Sequence, residues 1–469
     1  MDWNTRRRLF DTLMSPKSVA IIGATNNPNK VGHIIMQNYI DVGYSGPIWP
    51  VNINAKKGDR ILGYPAYSSI LDIKKPIDLV VIAVPADSVP KVLEECGKAK
   101  AKSVVIVSGG FAEIGRVELQ QKLVDIKNKY SFILMGPNCL GIMNTRSTVD
   151  TLFLPTFKID RPRIGGVSFA SQSGAVGSSI LDMIDAEGFG LSKFISYGNA
   201  IDIDEVDILD YLARDDETSV VIFYMEGAKR GKEFIEALKD ITMKKPVVMI
   251  KGGATEAGAT AAHSHTASLA GSYQTYEAIF RQFGVTQANT MQDVMDFAKM
   301  FDSQPLPKGG RVAIITNGGG VGVIATDALY EAGLELASFS KESERALRKV
   351  MPPIVNIRMP MDMAGDADDK RFAAALEITG SDPNVDAIMV IALFQTPGAD
   401  SRVAASLINY SATKQKPIAV VSPGGSYTQA HRNMMESSGV PVYSSPDQAA
   451  RAFKALLEYR KYKDSKMRK

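Results

Sequence analysis

Short, almost purely apolar runs alternate along this chain with stretches of helical spacing, and this rhythm constrains the fold more than any other feature. Residues 18–23 (SVAIIG), 77–84, 103–107 and 132–135 predict strands, while 31–41 and 88–99 predict amphipathic helices. A strand that is apolar on both faces must be covered on both. That calls for a parallel sheet with helices on either side, an α/β fold. With 469 residues there is room for three such domains, each large enough for its own core.

Residues 145–163, with Pro155 and Pro162, interrupt the rhythm, and 303–310 (SQPLPKGG) has the composition of a linker. New cycles begin at 166–170 and 312–315. The expected domains are therefore 1–145, 146–302 and 303–469. The second and third look like copies. Ser171-Gln-Ser-Gly-Ala-Val-Gly177 and Thr316-Asn-Gly-Gly-Gly-Val-Gly322 each follow a strand and open a helix, and residues 215–224 match 381–391 as a turn followed by a buried strand.

A formal net charge of +3 offers no bulk electrostatic case for nucleic acid or a membrane surface. No apolar run approaches the roughly 20 residues of a membrane helix. Two cysteines, Cys96 and Cys139, cannot build a disulfide framework, which favours a reducing, cytoplasmic setting. Arg6, Arg7 and Arg8 precede no apolar segment of signal-peptide length, so no targeting peptide is expected. The basic tail, 459–469, is expected to be a solvated, fraying helix end.

Glycine and serine at a strand-to-helix turn let backbone N–H groups approach an anion, and the helix dipole favours negative charge there. Ser173-Gly174 and Gly318-Gly319-Gly320 both fit, and neither is a Walker loop. The bland alternative is that these glycines only permit tight packing. The first turn, 23–32 (GATNNPNKVG), lacks G-x-G-x-x-G, and the second strand ends in Pro50-Val51-Asn52 with no acidic residue for a nicotinamide ribose. Lys56 and Lys57 lie just beyond that strand, and the ADP part of coenzyme A suits the turn at Gly23 better than a nicotinamide cofactor does. Val84 and Pro85 form an apolar edge at the carboxyl end of the sheet, where ligands bind.

His263 and His265 fall in residues 261–271 (AAHSHTASLAG), after the strand expected at 246–250 and a glycine-rich loop. Small neighbours leave both rings approachable. Metal binding is disfavoured, because the two histidines are two apart with no Cys, Asp or Glu nearby. A plain loop histidine, a general base and a covalent nucleophile stay open. A nucleophilic imidazole needs an acceptor on its second nitrogen. Glu226, at the end of the strand expected at 220–224, can serve, although it also fits a surface carboxylate. Asp202, Asp204, Glu205 and Asp207 are expected to cap a helix and form a solvated face.

Residues 264–271 (SHTASLAG), together with 136–141 (GPNCLG), 171–174 (SQSG), 197–202 (YGNAID) and 317–322 (NGGGVG), resemble the nucleoside-diphosphate-forming acyl-CoA synthetases, relatives of succinyl-CoA synthetase. The matches keep the family's order and span nearly the whole chain, and they are closest to the α subunits of its ADP-forming, acetate-handling branch. The resemblance implies a Rossmann-like coenzyme A-binding domain followed by two flavodoxin-like doubly wound α/β domains. It implies a relay in which phosphate displaces coenzyme A from an acyl-CoA, His265 takes the phosphoryl group from the acyl phosphate, and ADP becomes ATP at a remote site. The orienting carboxylate falls on Glu226. The phosphate-holding helix ends fall on Ser173-Gly174 and Gly319-Gly320. Coenzyme A contacts fall on Gly23, Lys56, Val84 and Pro85, with Asn138 near the reacting centre. No ATP-grasp or Walker pattern is present, so ADP or ATP with magnesium is expected mainly on a partner ATP-grasp β subunit, in an α2β2 heterotetramer. Residues 356–362 (NIRMPMD) replace a simpler Asn-Pro-Val-Asp stretch of the family. The alternative is a non-catalytic coenzyme A-binding regulatory protein.

Overall fold

The computed structural model describes residues 1–258 and 273–467. The chain divides into two compact units, Met1–Asp185 with Gly190–Phe283, and Ala186–Phe189 with Gly284–Lys469.

In the first unit, five parallel strands run in the order Ile48–Val51, Val19–Ile22, Leu79–Ile82, Ser103–Ile106, Ile133–Met135. Every residue of Val19–Ile22, Leu79–Ile82 and Ser103–Ile106 is buried, as strands covered on both faces must be. Beside Ile48–Val51 a further strand is reduced to one parallel bridge, Val51 to Tyr67. The result is a Rossmann-like sheet with a vestigial third strand. Helices Val31–Asp41, Val89–Lys98 and Val117–Lys129 carry the chain between strands, and Val80, Ile82, Leu93, Val104, Leu123 and Leu134 share the core they cover.

The same unit holds a second sheet. Val247–Lys251, Val220–Met225, Ile164–Ser171 and Leu191–Ser196 lie parallel in that order. Ile142–Asn144 adds antiparallel to Leu191–Ser196 and pairs in turn with Val149–Asp150. The chain thus enters its second sheet at Ile142.

The N-terminal helix Trp3–Met14 is tied to this second layer by charge. Arg6 donates to the Asp202 carboxylate (2.9 Å), the Asp202 carbonyl (2.8 Å) and both oxygens of Asp207, while Arg7 pairs with Asp210. Arg230 approaches Asp204 and Asp207 from the other side. These contacts correct the expectation of a solvated acidic face. Asp204 does cap the helix Glu205–Arg214, but Asp204, Glu205 and Asp207 are all buried. Buried carboxylates need partners, and here arginines from elements distant in sequence neutralise Asp204 and Asp207.

The second unit is built on one parallel sheet in the order Glu335–Leu336, Arg311–Thr316, Ala387–Ile391, Ile418–Val421, Val442–Tyr443. Met361–Asp362 pairs with the far end of Arg311–Thr316. In chain order the strands run 2-1-3-4-5 if this short pair is set aside, the flavodoxin-like order, and the second sheet of the first unit repeats 2-1-3-4. The closing helix Pro446–Met467 corrects the reading of the tail as merely solvated, since Tyr459 and Tyr462 are buried on one helical face. No helix among the described residues is long and apolar enough to cross a membrane.

Candidate active site

The duplicated turns are built by the same hydrogen bonds. Ser171 lies in register with Tyr224, and Thr316 with Ile391. The Ser171 hydroxyl donates to the Ser173 carbonyl (2.7 Å), and the Thr316 hydroxyl to the Gly318 carbonyl (3.0 Å). The next residue in each copy donates its N–H to the neighbouring strand, Gln172 to Tyr224 (3.1 Å) and Asn317 to Ile391 (3.4 Å). Its side-chain amide oxygen then accepts from the loop beyond that strand, Gln172 from the Glu226 N–H and Asn317 from the Leu393 N–H, both at 2.8 Å. Braced in this way, Ser173-Gly174 and Gly319-Gly320 open the helices Gly174–Ala186 and Gly319–Glu331 at the point where strand order reverses.

The same register shows where the copies differ. Glu226 in the first unit corresponds to Leu393 in the second. Each copy has a free helix end at its turn, but only the first places a carboxylate at this position of the neighbouring strand; in the second, Leu393 stands there and the carboxylate near the helix end is that of Asp362, from a different segment. Extending the 215–224 match by two residues would have shown this in the sequence.

Glu226 is 5% exposed. Its Oε1 accepts from the Tyr224 hydroxyl (3.2 Å), while Oε2 has no hydrogen-bond partner among the described residues. A buried carboxylate oxygen left unpaired is costly and marks a place for a donor. Lys251 lies close by, its ammonium on the Gly252 carbonyl and 5.1 Å from the centre of the Tyr276 ring. Burial lowers its pKa against the opposing pull of Glu226. The sequence-predicted His265, with His263, lies outside the described residues.

At the carboxyl edge of the first sheet, Gly23 has φ +96°, which L side chains rarely adopt, and a Cβ there would overlap the Ala83 carbonyl. Asn52 donates to the Ala24 carbonyl (2.8 Å) and Asn26 to the Arg60 carbonyl (3.0 Å), so the turn is stapled to the loop that carries exposed Lys56. Val84 and Pro85 follow the strand Leu79–Ile82, with the Val84 carbonyl accepting from Ser108 Oγ (2.6 Å). Asn138, at φ +58°, sits beyond Ile133–Met135. Its loop packs against the Ser173-Gly174 turn. The Leu140 N–H donates to Ser196 Oγ (3.0 Å), and a Cβ on Gly174 would touch Leu140 at 3.4 Å. Asn138, Ser173, Gly174 and Glu226 therefore sit on adjoining elements of one unit, whereas Gly319 and Gly320 belong to the other.

Several residues escape sequence reasoning. Gln172 braces the turn, as above. Asn199 stands out in the sequence only as part of a motif, yet its amide donates to Glu113 Oε2 (2.6 Å) and Gln120 Oε1 (2.9 Å). Glu113 in turn accepts from the N–H groups of Gly110 and Phe111. Burial alone would raise the Glu113 carboxyl, but the Asn199 amide and these N–H groups outweigh it and hold it below its ordinary value. The one local signal is a glutamate two and three residues after the loop N–H groups it caps. Glu205 behaves oppositely. Burial first, then the charge of Asp204, pushes its carboxyl up to about 7, and its Oε2 is unpartnered among the described residues.

In the second unit, Asn356 and Asp362 exchange two backbone hydrogen bonds of 3.0 Å, pinching residues 357–361 between them into a closed loop. Asp362 Oδ1 accepts from the Ala364 N–H (3.0 Å). A Cβ on Gly319 would lie 2.5 Å from Asp362 Oδ2, so a larger residue at that helix end must displace this carboxylate.

Comparison with known proteins agrees with this architecture. Residues 17–145 match the family described as CoA binding domain, 164–301 the succinyl-CoA ligase like flavodoxin domain, and 312–445 the ligase-CoA domain. The chain is 39% identical to subunit alpha of acetate–CoA ligase [ADP-forming] I from Pyrococcus furiosus, over 97% of this chain and 98% of that one. It is 40% identical to acetate–CoA ligase [ADP-forming] from Methanocaldococcus jannaschii, over 95% of this chain but 62% of that one. A solved structure of dinucleotide forming acetyl-coenzyme A synthetase 1 from Ca. Korarchaeum cryptofilum, in complex with phosphate and ADP, superposes with a TM-score of 0.91 at 33% identity, covering 98% of each chain.

Proposed function

The chain belongs to the family of ADP-forming acetate–CoA ligase α subunits, and on that premise we propose that it links phosphorolysis of an acyl-CoA to phosphorylation of His265. The coenzyme A-binding domain, 1–145, presents the thioester through Gly23, Lys56, Val84 and Pro85, with Asn138 at the reacting end. Ser173 and Gly174 hold the phosphate that displaces the thiol and yields acyl phosphate. One ring nitrogen of His265, in domain 146–302, then attacks phosphorus. The bond from phosphorus to the acyl oxygen breaks and the carboxylate leaves. Glu226 accepts from the other ring nitrogen and balances the positive charge that grows on the imidazole. Gly319 and Gly320, in domain 303–469, serve as a second phosphate-binding helix end. Transfer to ADP completes the relay.

The unpartnered, buried Oε2 of Glu226 beside the Ser173-Gly174 turn carries this reading. A metal ion with ADP or ATP belongs mainly to a partner ATP-grasp β subunit in an α2β2 cytoplasmic assembly. The relative from M. jannaschii, which extends well past the matched region, supports a nucleotide site outside this chain. Acetate is the acyl group proposed.

The test is labelling with radioactive acetyl phosphate. The wild-type chain should carry an acid-labile, base-stable phosphoryl group, and His265→Ala should carry none. An unlabelled wild type, or a labelled His265→Ala, defeats the reading.

A further inference from the structure

A chain of side-chain amides runs from Glu113 to Asn138, and its polarity has one solution. The Glu113 carboxylate can only accept. Its Oε1 is occupied by the Gly110 and Phe111 N–H groups, so Oε2 takes a hydrogen from Asn199 Nδ2. The second Nδ2 hydrogen goes to Gln120 Oε1. Asn199 therefore turns Oδ1 towards Asn138, whose Nδ2 donates to it at 3.3 Å. The backbone that carries Asn199 is held by Lys229, which donates to the Asn199 (2.9 Å) and Ala200 (2.8 Å) carbonyls. Asn138 is left with a defined outward atom, Oδ1, an acceptor with no donor among the hydrogen bonds of the described residues. A Cβ on Gly109 would come within 2.9 Å of that atom, so glycine keeps it open.

We propose that Glu113 and Asn199 are positioning residues that fix the Asn138 amide so that its Oδ1 accepts an amide N–H of the pantetheine arm of coenzyme A. An acceptor cannot bond an ionised phosphate oxygen, which is itself an acceptor, so this atom recognises the thioester arm and not the phosphate. The inference rests on the reading of the first domain as the coenzyme A site.

The polarity can be inverted by design. In Glu113→Gln the side-chain amide can donate to Asn199, which then flips and leaves Asn138 misdirected. In Asn138→Asp two acceptors face each other. In the double variant the whole chain runs backwards. The amide introduced at position 113 donates to Asn199, and Asn199 donates to the carboxylate introduced at position 138, so an acceptor again faces outward. With the full-length chain, calorimetry should show coenzyme A binding weakened about 3- to 10-fold in Glu113→Gln and more in Asn138→Asp, a single neutral hydrogen bond being worth this much. The double variant should return to within about threefold of wild type. In the assembled enzyme the KM for phosphate should stay unchanged while that for coenzyme A moves. Additive losses in the double variant, or an equal change in the phosphate KM, overturn the proposal. A coenzyme A analogue with an ester replacing the thiol-proximal amide supplies an independent arm. Wild type should discriminate against it by about 3- to 10-fold and Asn138→Ala should not; equal discrimination by both also overturns it. A wild-type chain that binds no coenzyme A would instead defeat the reading of the domain.

Discussion

Replacing Glu226 by glutamine separates catalysis from folding in a way the surroundings of this carboxylate make quantitative. Glutamine keeps the shape and can still accept from the Tyr224 hydroxyl. It removes the charge that would stabilise a phosphorylated imidazole. A hydrogen bond to a charged group contributes about 1.5–3 kcal/mol, so histidine phosphorylation should slow by roughly 10- to 150-fold. The fold should not weaken. Oε2 of this buried side chain is unpaired among the described residues, and leaving such a group dry and unsatisfied costs about 1–3 kcal/mol. Neutralising it relieves part of that cost. The melting temperature should hold or rise, by about 2–4 °C per kcal/mol recovered. Rapid-quench single-turnover labelling with acetyl phosphate measures the rate, and scanning calorimetry measures the melt. Phosphorylation at the wild-type rate would refute the role of Glu226 as acceptor. A melt several degrees lower would mean that the charge serves the fold instead.

Gly319→Ala should place its methyl 2.5 Å from Asp362 Oδ2, costing about 1–3 kcal/mol as overpacking, and adding Asp362→Ala should restore much of the melt; no recovery in the double variant would show the strain lies elsewhere. Glu205 titrates near 7 in the folded state against 4.5 as its ordinary value, so its contribution is complete below about pH 4.5 and is lost as pH rises through about 7. Glu205→Gln should therefore flatten the stability profile across that window, read from melts at stepped pH, and an unchanged slope would contradict the burial argument.

What was legible in the sequence was local or periodic. Apolar runs such as 18–23 and 103–107 could only be strands covered on both faces, and the structure puts Val19–Ile22 and Ser103–Ile106 at the heart of a parallel sheet. Helix 31–41 was readable to the residue because its period and its flanking turn lie within one short window. The two glycine turns were visible for the same reason. The acidic residues at 202–207 misled, because solvation was inferred from charge alone while Arg6 lies some 200 positions away in the chain.

Sequence pattern by itself decided the α/β class, the repeat and the types of residue at each strand end, since these follow from backbone period and turn chemistry. Tertiary structure alone decided which ends meet: the pairing of Ser171 with Tyr224 that sets Glu226 beside one turn and Leu393 beside the other, and the contacts that orient Asn138 through Asn199 and Glu113. Registers and hydrogen-bond directions arise only when segments far apart in the chain are packed against one another, because each polar group must find its partner in whatever the fold brings near.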